Sequence, residues 1–208
     1  MAELTGAECA LVGRLRTPRQ VQLWLRSLPY NYERRGKTQR TFRGVVEHGQ
    51  AHCMEAALSA ATILEHHGFP PLVVSLESVD LLDHVIYVFK IKGRWGSVAR
   101  SRDPGLHGRR PVFRSIRDLA WSYSAPYVDF SGRIKGYAPC DLRELGSYDW
   151  RYSRRNVWHV EDWLREAEHR PLRMSDRRYE ALYHRYVEFK RRFPHQKPAR
   201  YPGSEKWM

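Results

Sequence analysis

The sequence predicts an α+β fold: a helix led by a cysteine, packed on a small antiparallel sheet, with additional helices at both ends of the chain. Three observations carry that expectation. Met54 to His67 is an Ala-rich helical run directly after Cys53. Leu72-Val73-Val74-Ser75-Leu76 and Val85-Ile86-Tyr87-Val88-Phe89-Lys90-Ile91 are β-branched and aromatic runs that read as strands. Lys92-Gly93-Arg94 is a tight-turn signal that folds Trp95 to Ala99 back on the second run as a hairpin.

The remaining elements follow from local signals. Thr17-Pro18 starts a short helix, with Thr as N-cap and Pro at the first helical position, that carries Val21, Leu23, Trp24, Leu25 and Leu28 and stops at Pro29. Residues 31–43 are polar and basic and read as a loop leading into the Cys53 segment. In the cysteine helix Ala56, Ala57, Ala60 and Ala61 offer small surfaces for close packing, and Gly68 with Pro70-Pro71 ends it. Ser115 with Asp118 resembles a capping box for a helix bearing Ile116, Leu119, Ala120 and Tyr123. A loop-rich stretch to Trp150 follows. Asn156 is expected to cap a helix with Val157, Trp158, Val160, Trp163 and Leu164. Ser175 or Asp176 caps the next, whose Tyr179, Leu182, Tyr183, Tyr186, Phe189 and Phe193 recur at helical spacing and are read as packing. The tail from Pro194 is expected to lie along the surface.

At 208 residues the chain fits one domain with an appendage. The division expected is a core over 1–150 and a basic helical extension over 151–208 packed on it. Hydrophobic residues at 42% exclude wholesale disorder. The longest apolar stretch, 72–91, is broken by Ser75, Glu77, Asp80, Asp83 and His84, so no membrane span is expected. Glu3 and Glu8 near the start do not fit a signal peptide. Cys9, Cys53 and Cys140 are too scattered for a disulfide framework or zinc ribbon, which points to a reducing cytoplasmic setting. The net charge is +13, and residues 151–208 hold 15 Lys and Arg against 8 Asp and Glu. Because the acids are interspersed, a solvated surface is the favoured reading over a nucleic-acid site.

The chemistry centres on Cys53, His84 and Asp103, in the chain order of a nucleophilic triad. A free thiol is only a few per cent thiolate at neutral pH. A helix N-terminus favours the thiolate, and a neighbouring imidazolium favours it further. Cys53 meets the first condition, and His84 at the head of a strand meets the second and can protonate a leaving amine. Asp103 would orient the imidazole. The backbone amide of Cys53, with Gln50, His52 or their amides, would form an oxyanion hole. His48, His52, His66 and His67 make no compact ligand set with the cysteines, so neither metal nor cofactor is expected.

These residues together resemble the transglutaminase-like branch of the papain-like fold over residues 44–104. The resemblance lies in the helix-leading Cys, the strand-leading His in His84-Val85-Ile86-Tyr87-Val88-Phe89-Lys90-Ile91-Lys92-Gly93-Arg94-Trp95, and the Asp103-Pro104 after the hairpin. It implies amide chemistry through an acyl-thioester, hydrolysis or acyl transfer, with Cys53 as nucleophile, His84 as base and Asp103 as orienter. In that family the third residue stands about four positions after the hairpin Trp, where this chain has Ala99. Asp103 lies four further and needs a bulge or longer strand to reach His84. Ser101 is a substitute, and Asp80 or Asp83 could assist from the preceding loop. The substrate expected is a peptide, protein or small amide, acidic if the basic surface selects it. The alternative is a catalytically inactive module that uses its basic surface to bind nucleic acid or an acidic protein.

Overall fold

Hydroxyl and imidazole caps set the start of every helix in the first third of the chain. In the computed structural model, which describes residues 3–81, 83–199, 201 and 204–206, α1 (Gly6–Arg14) begins at Thr5, with Glu8 closing a capping box. Thr17 does the same for α2 (Pro18–Ser27) with Gln20, and Pro18 occupies its first turn as expected. α3 (Phe42–His48) begins at Thr41 and ends at Gly49, whose φ of 64° needs a residue without a Cβ. The sequence reading extended its loop through Phe42 and Arg43 and missed both α1 and α3. Their apolar residues are too few to show a helical period, although Thr5 with Glu8 is a capping-box signature for the first of them. α4 (Cys53–Glu65) runs from a His52 cap, and every residue from Met54 to Leu64 is buried. Its alanines fit that position: α2 and α3 pack on it from one side and the sheet from the other. Leu58 and Ile63 have no solvent exposure, and truncating either to Ala would cost about 3 kcal/mol.

Among the described residues the sheet has six antiparallel strands, β1 (Leu72–Ser78), β2 (His84–Ile91), β3 (Arg94–Val98), β4 (Arg109–Phe113), β5 (Ile134–Asp141) and β6 (Arg170–Pro171), in the spatial order β4-β3-β2-β1-β5-β6. The expected hairpin is present: Lys92 and Gly93, both at positive φ, turn β2 into β3, and Phe89 pairs with Gly96. β5 lies inside the stretch read as loop. Gly136 and Pro139 argue against a strand, but β6 pairs only with Gly136 and Tyr137. At Pro139 β5 is therefore an edge, where proline is tolerated.

Alternation along β1 and β2 divides the core. Val73, Val85, Tyr87 and Phe89 face α4, while Val74, Leu76, Ile86 and Val88 face α5 (Ile116–Tyr127) through Leu119, Ala120 and Tyr123. Ser115 caps α5 by accepting from the Asp118 amide, without the reciprocal half of the box. α6 (Trp158–Glu166) follows Val157, and Asn156 does not cap it. Its Oδ1 accepts instead from the Gln39 amide at 2.9 Å, while the Val157 amide donates to the Gln39 carbonyl at 2.8 Å. Val157, Val160 and Leu164 enter the α4 core.

α7 (Asp176–Arg192) starts at Ser175 as expected. Of its aromatic stripe only Tyr186 is buried, against Phe130, and Tyr179 stacks under Arg133. From the tail, Lys197 reaches Asp103 and Tyr201 lies against Gly105. Residues 200, 202, 203, 207 and 208 of that tail lie outside the described residues. No helix among the described residues is long and apolar enough to cross a membrane.

Candidate active site

Cys53 stands at the first position of α4, where the backbone amides have no helical acceptor and the dipole favours an anion. The chain just before it is fixed by a parallel bridge between Tyr30 and Ala51: the Ala51 amide donates to the Pro29 carbonyl, and the Asn31 amide to the Ala51 carbonyl. His52 takes the capping role more common for Ser, Thr or Asp. Its Nδ1 accepts from the Met54 amide at 3.3 Å and its Nε2 donates to the Thr38 carbonyl at 2.8 Å.

Beneath this turn Glu55 is a fully buried carboxylate. It accepts from the His52 amide (3.0 Å), Asn31 Nδ2 (3.0 Å), Thr38 Oγ1 (2.8 Å) and the Arg40 amide (3.2 Å). Burial opposes its charge, but His52 and these donors outweigh it and hold the carboxyl below the usual range. The Glu55 network thus ties residues 31, 38, 40 and 52 into one rigid cradle for the cysteine.

His84 opens β2 opposite Leu76 and is buried. Its Nε2 lies 3.0 Å from the Leu106 carbonyl. A carbonyl only accepts, so Nε2 carries the proton and Nδ1 is the basic nitrogen in the neutral ring. Burial alone would raise the Cys53 thiol. The neighbouring imidazoles of His52 and His84 overcome that and lower it to about 5. The reciprocal effect appears at His52: burial opposes its charge, but Cys53 and then Glu55 raise it to about 9. Protonation of its Nδ1 would exchange the long Met54 bond for one to the thiolate sulfur.

A cleft of about 410 Å³ opens over Cys53 and His84, and His52, Asp83, Ser101 and Asp103 also line it. The structure thus brings the expected residues to one place but gives several of them other partners. Asp103 follows β3 by five residues and faces Lys197, whose Nζ is 3.3 Å from its Oδ1. The group hydrogen-bonded to His84 Nε2 is the main-chain carbonyl of Leu106, three residues on, in the 3-10 turn Pro104–Leu106. Ser101 Oγ accepts from the Asp103 amide and shapes that loop. Asp83 Oδ1 accepts from the Ser78 amide. Ala99 is fully buried in the α5 core. Gln50, expected as an oxyanion donor, is not among the residues lining the cleft.

Tyr30 does line the cleft, and sequence reasoning missed it. Burial first, and then the charge of Cys53, push its phenol upward, so it stays a neutral O–H donor. Among the described residues six carboxylates line the cleft against three Lys and Arg side chains, the reverse of the chain's net charge. Among the described residues no group of three or more His, Cys, Asp and Glu could hold a metal ion. Neither the protein-family models nor the curated protein sequences contain a match to this chain.

Proposed function

We propose that the chain is a thiol-dependent amide hydrolase or acyltransferase, of the transglutaminase-like, papain-like type, working through an acyl-thioester on Cys53. The observation that carries this reading is Cys53 at the start of a buried helix, with two imidazoles that hold its thiol near 5 against burial. The arrangement of α4 against the sheet, with His84 on the strand beside it, supports the papain-like assignment.

In the first step the Cys53 thiolate attacks the amide carbonyl carbon. The oxyanion is met by the Cys53 amide and the Tyr30 hydroxyl. His84, protonated at Nδ1, gives that proton to the departing nitrogen as the C–N bond breaks, leaving an acyl-thioester and a free amine. In the second step water or an amine attacks the thioester and His84 Nδ1 takes its proton. The C–S bond breaks, and the thiolate is restored. Leu106, through its carbonyl, keeps the second proton on Nε2 throughout.

The charge of the cleft bears on the acyl donor. Asp129 accepts from the Ser131 and Gly132 amides, neutral donors that leave its carboxylate charge in place. An acidic substrate, expected from net charge, is disfavoured here, and a neutral or cationic segment beside the scissile amide suits the cleft better. The test is acylation by p-nitrophenyl acetate, an activated ester. A burst of p-nitrophenolate equal to enzyme, with the acetyl group found on Cys53 after acid quench, supports the reading. A burst that persists in Cys53→Ala and in His84→Ala overturns it.

A further inference from the structure

We infer that Arg109 is a positioning residue for His84, acting through the backbone of the Pro104–Leu106 turn; this rests on the role given to His84 above. Arg109 is 2% exposed at the start of β4. Its Nη2 donates to the Gly105 carbonyl at 2.7 Å and its Nη1 to the His107 carbonyl. One guanidinium therefore grips the carbonyls immediately before and after Leu106. The carbonyl between them is the one that accepts from His84 Nε2.

The guanidinium and its backbone are themselves held by neighbouring side chains. Its Nε donates to Ser122 Oγ at 3.2 Å, and its Cζ lies over the Tyr123 ring, 4.0 Å from the centroid. The Arg109 amide donates to Ser97 Oγ at 3.0 Å, and that hydroxyl shares a 2.7 Å bond with the Tyr123 phenol. The Tyr123 hydroxyl in turn donates to the His107 carbonyl at 3.1 Å, and its ring lies 5.9 Å from that of His84.

Burying a guanidinium is costly, and burial lowers this one to about 10. Filling a gap would need only an apolar side chain. A planar cation with a rigid fork of donors is required for binding two carbonyls that flank a third. An aspartate beside His84 would fix the tautomer through its own charge. A neutral main-chain carbonyl is a weaker acceptor and must be immobilised to do the same, which gives the buried arginine its purpose.

Two measurements on the full-length chain test this. The first is the ¹⁵N and ¹H signature of the His84 ring, which reports whether the proton sits on Nε2. The second is the rate of Cys53 alkylation by iodoacetamide against pH. In Arg109→Lys, whose single ammonium cannot hold both carbonyls in the same plane, we expect the Nε2-protonated population to fall. Alkylation of Cys53 at pH 6 should slow by about tenfold. In Arg109→Ala, millimolar methylguanidinium should restore both signals. A role confined to stability would lower the melting temperature and leave both readouts where they are. A folded Arg109→Lys with the wild-type His84 signature overturns the inference. Should the Arg109 variants not fold, Tyr123→Phe, which removes only the hydroxyl braced on His107, decides in the same two ways. An ordinary wild-type alkylation profile would remove the proposed function, whereas an unchanged His84 signature in these variants would remove only the role of Arg109.

Discussion

Cys53, half-buried at the cleft, and Cys140, buried in the core, are thiols that burial pushes in the same direction, yet they end far apart. Cys140, in β5, packs into the α4 core, with Sγ 3.6 Å from the Ala138 carbonyl. Burial, and then the charge of Glu144, raise it to about 11. At Cys53 burial raises the thiol too, but His52 and His84 reverse the outcome and lower it to about 5. The comparison teaches that desolvation alone does not make a thiol reactive or inert. The charges facing it do, and at Cys53 they are held in place by a buried carboxylate and a buried arginine.

The largest effect should come from removing Cys53. Cys53→Ser is expected to abolish the p-nitrophenyl acetate burst, and Cys140→Ser to leave it intact. At pH 7 the gap in thiolate population, offset by the greater nucleophilicity of the more basic sulfur, leaves Cys53 about 20-fold faster toward iodoacetamide before access is counted. Equal labelling of the two cysteine peptides in a mass spectrum would break the comparison.

Next comes the base. His84→Ala should cut the acylation rate by about 10² to 10⁴-fold and move the Cys53 alkylation midpoint upward, toward the behaviour of Cys140. A stopped-flow burst and a pH series measure both.

The cradle should show in stability more than in chemistry. Glu55→Gln places an amide among donors and is expected to cost about 3 kcal/mol in urea unfolding. The Glu55 carboxyl is held below its usual range in the fold. Its contribution is therefore fully present above the ordinary carboxylate pKa and is lost as pH falls through the lower folded value. The stability difference between wild type and Glu55→Gln should accordingly shrink at acid pH. A constant difference down to acid pH would contradict this.

The smallest effect belongs to Asp103. Because its carboxylate faces Lys197 and the Leu106 carbonyl serves His84, Asp103→Asn should change the acylation rate by less than about threefold. A loss as large as that of His84→Ala would restore Asp103 to the orienting role.

The cysteine helix, the first two strands and their hairpin were legible because their signals are local. Alanines with a Gly-Pro stop mark α4, β-branched runs mark β1 and β2, and Lys92-Gly93 supplies the paired positive φ of the turn. β5 was hidden because Gly136 and Pro139 are acceptable only on a strand that is mostly an edge. The partner of His84 was hidden for another reason. A side-chain triad leaves an Asp or Asn in the sequence, but a carbonyl belongs to every residue, so Leu106 carries no mark. Its trace is indirect: Arg109, the first residue of β4 and three residues after Leu106, is a buried charged side chain with no place in a core unless something there needs its fork of donors. Glu55 was similarly concealed, since its spacing from His52 reads as a simple helix cap and its three other partners, Asn31, Thr38 and Arg40, come from a polar stretch read as loop.

The most direct test of the account is the pH dependence of Cys53 alkylation by iodoacetamide, followed by peptide mass spectrometry in wild type and in His84→Ala. The account predicts a midpoint near 5 in the wild type, well below an ordinary thiol, and a clear rise when His84 is removed. A wild-type midpoint near 8.5, or one that His84→Ala leaves in place, would contradict it.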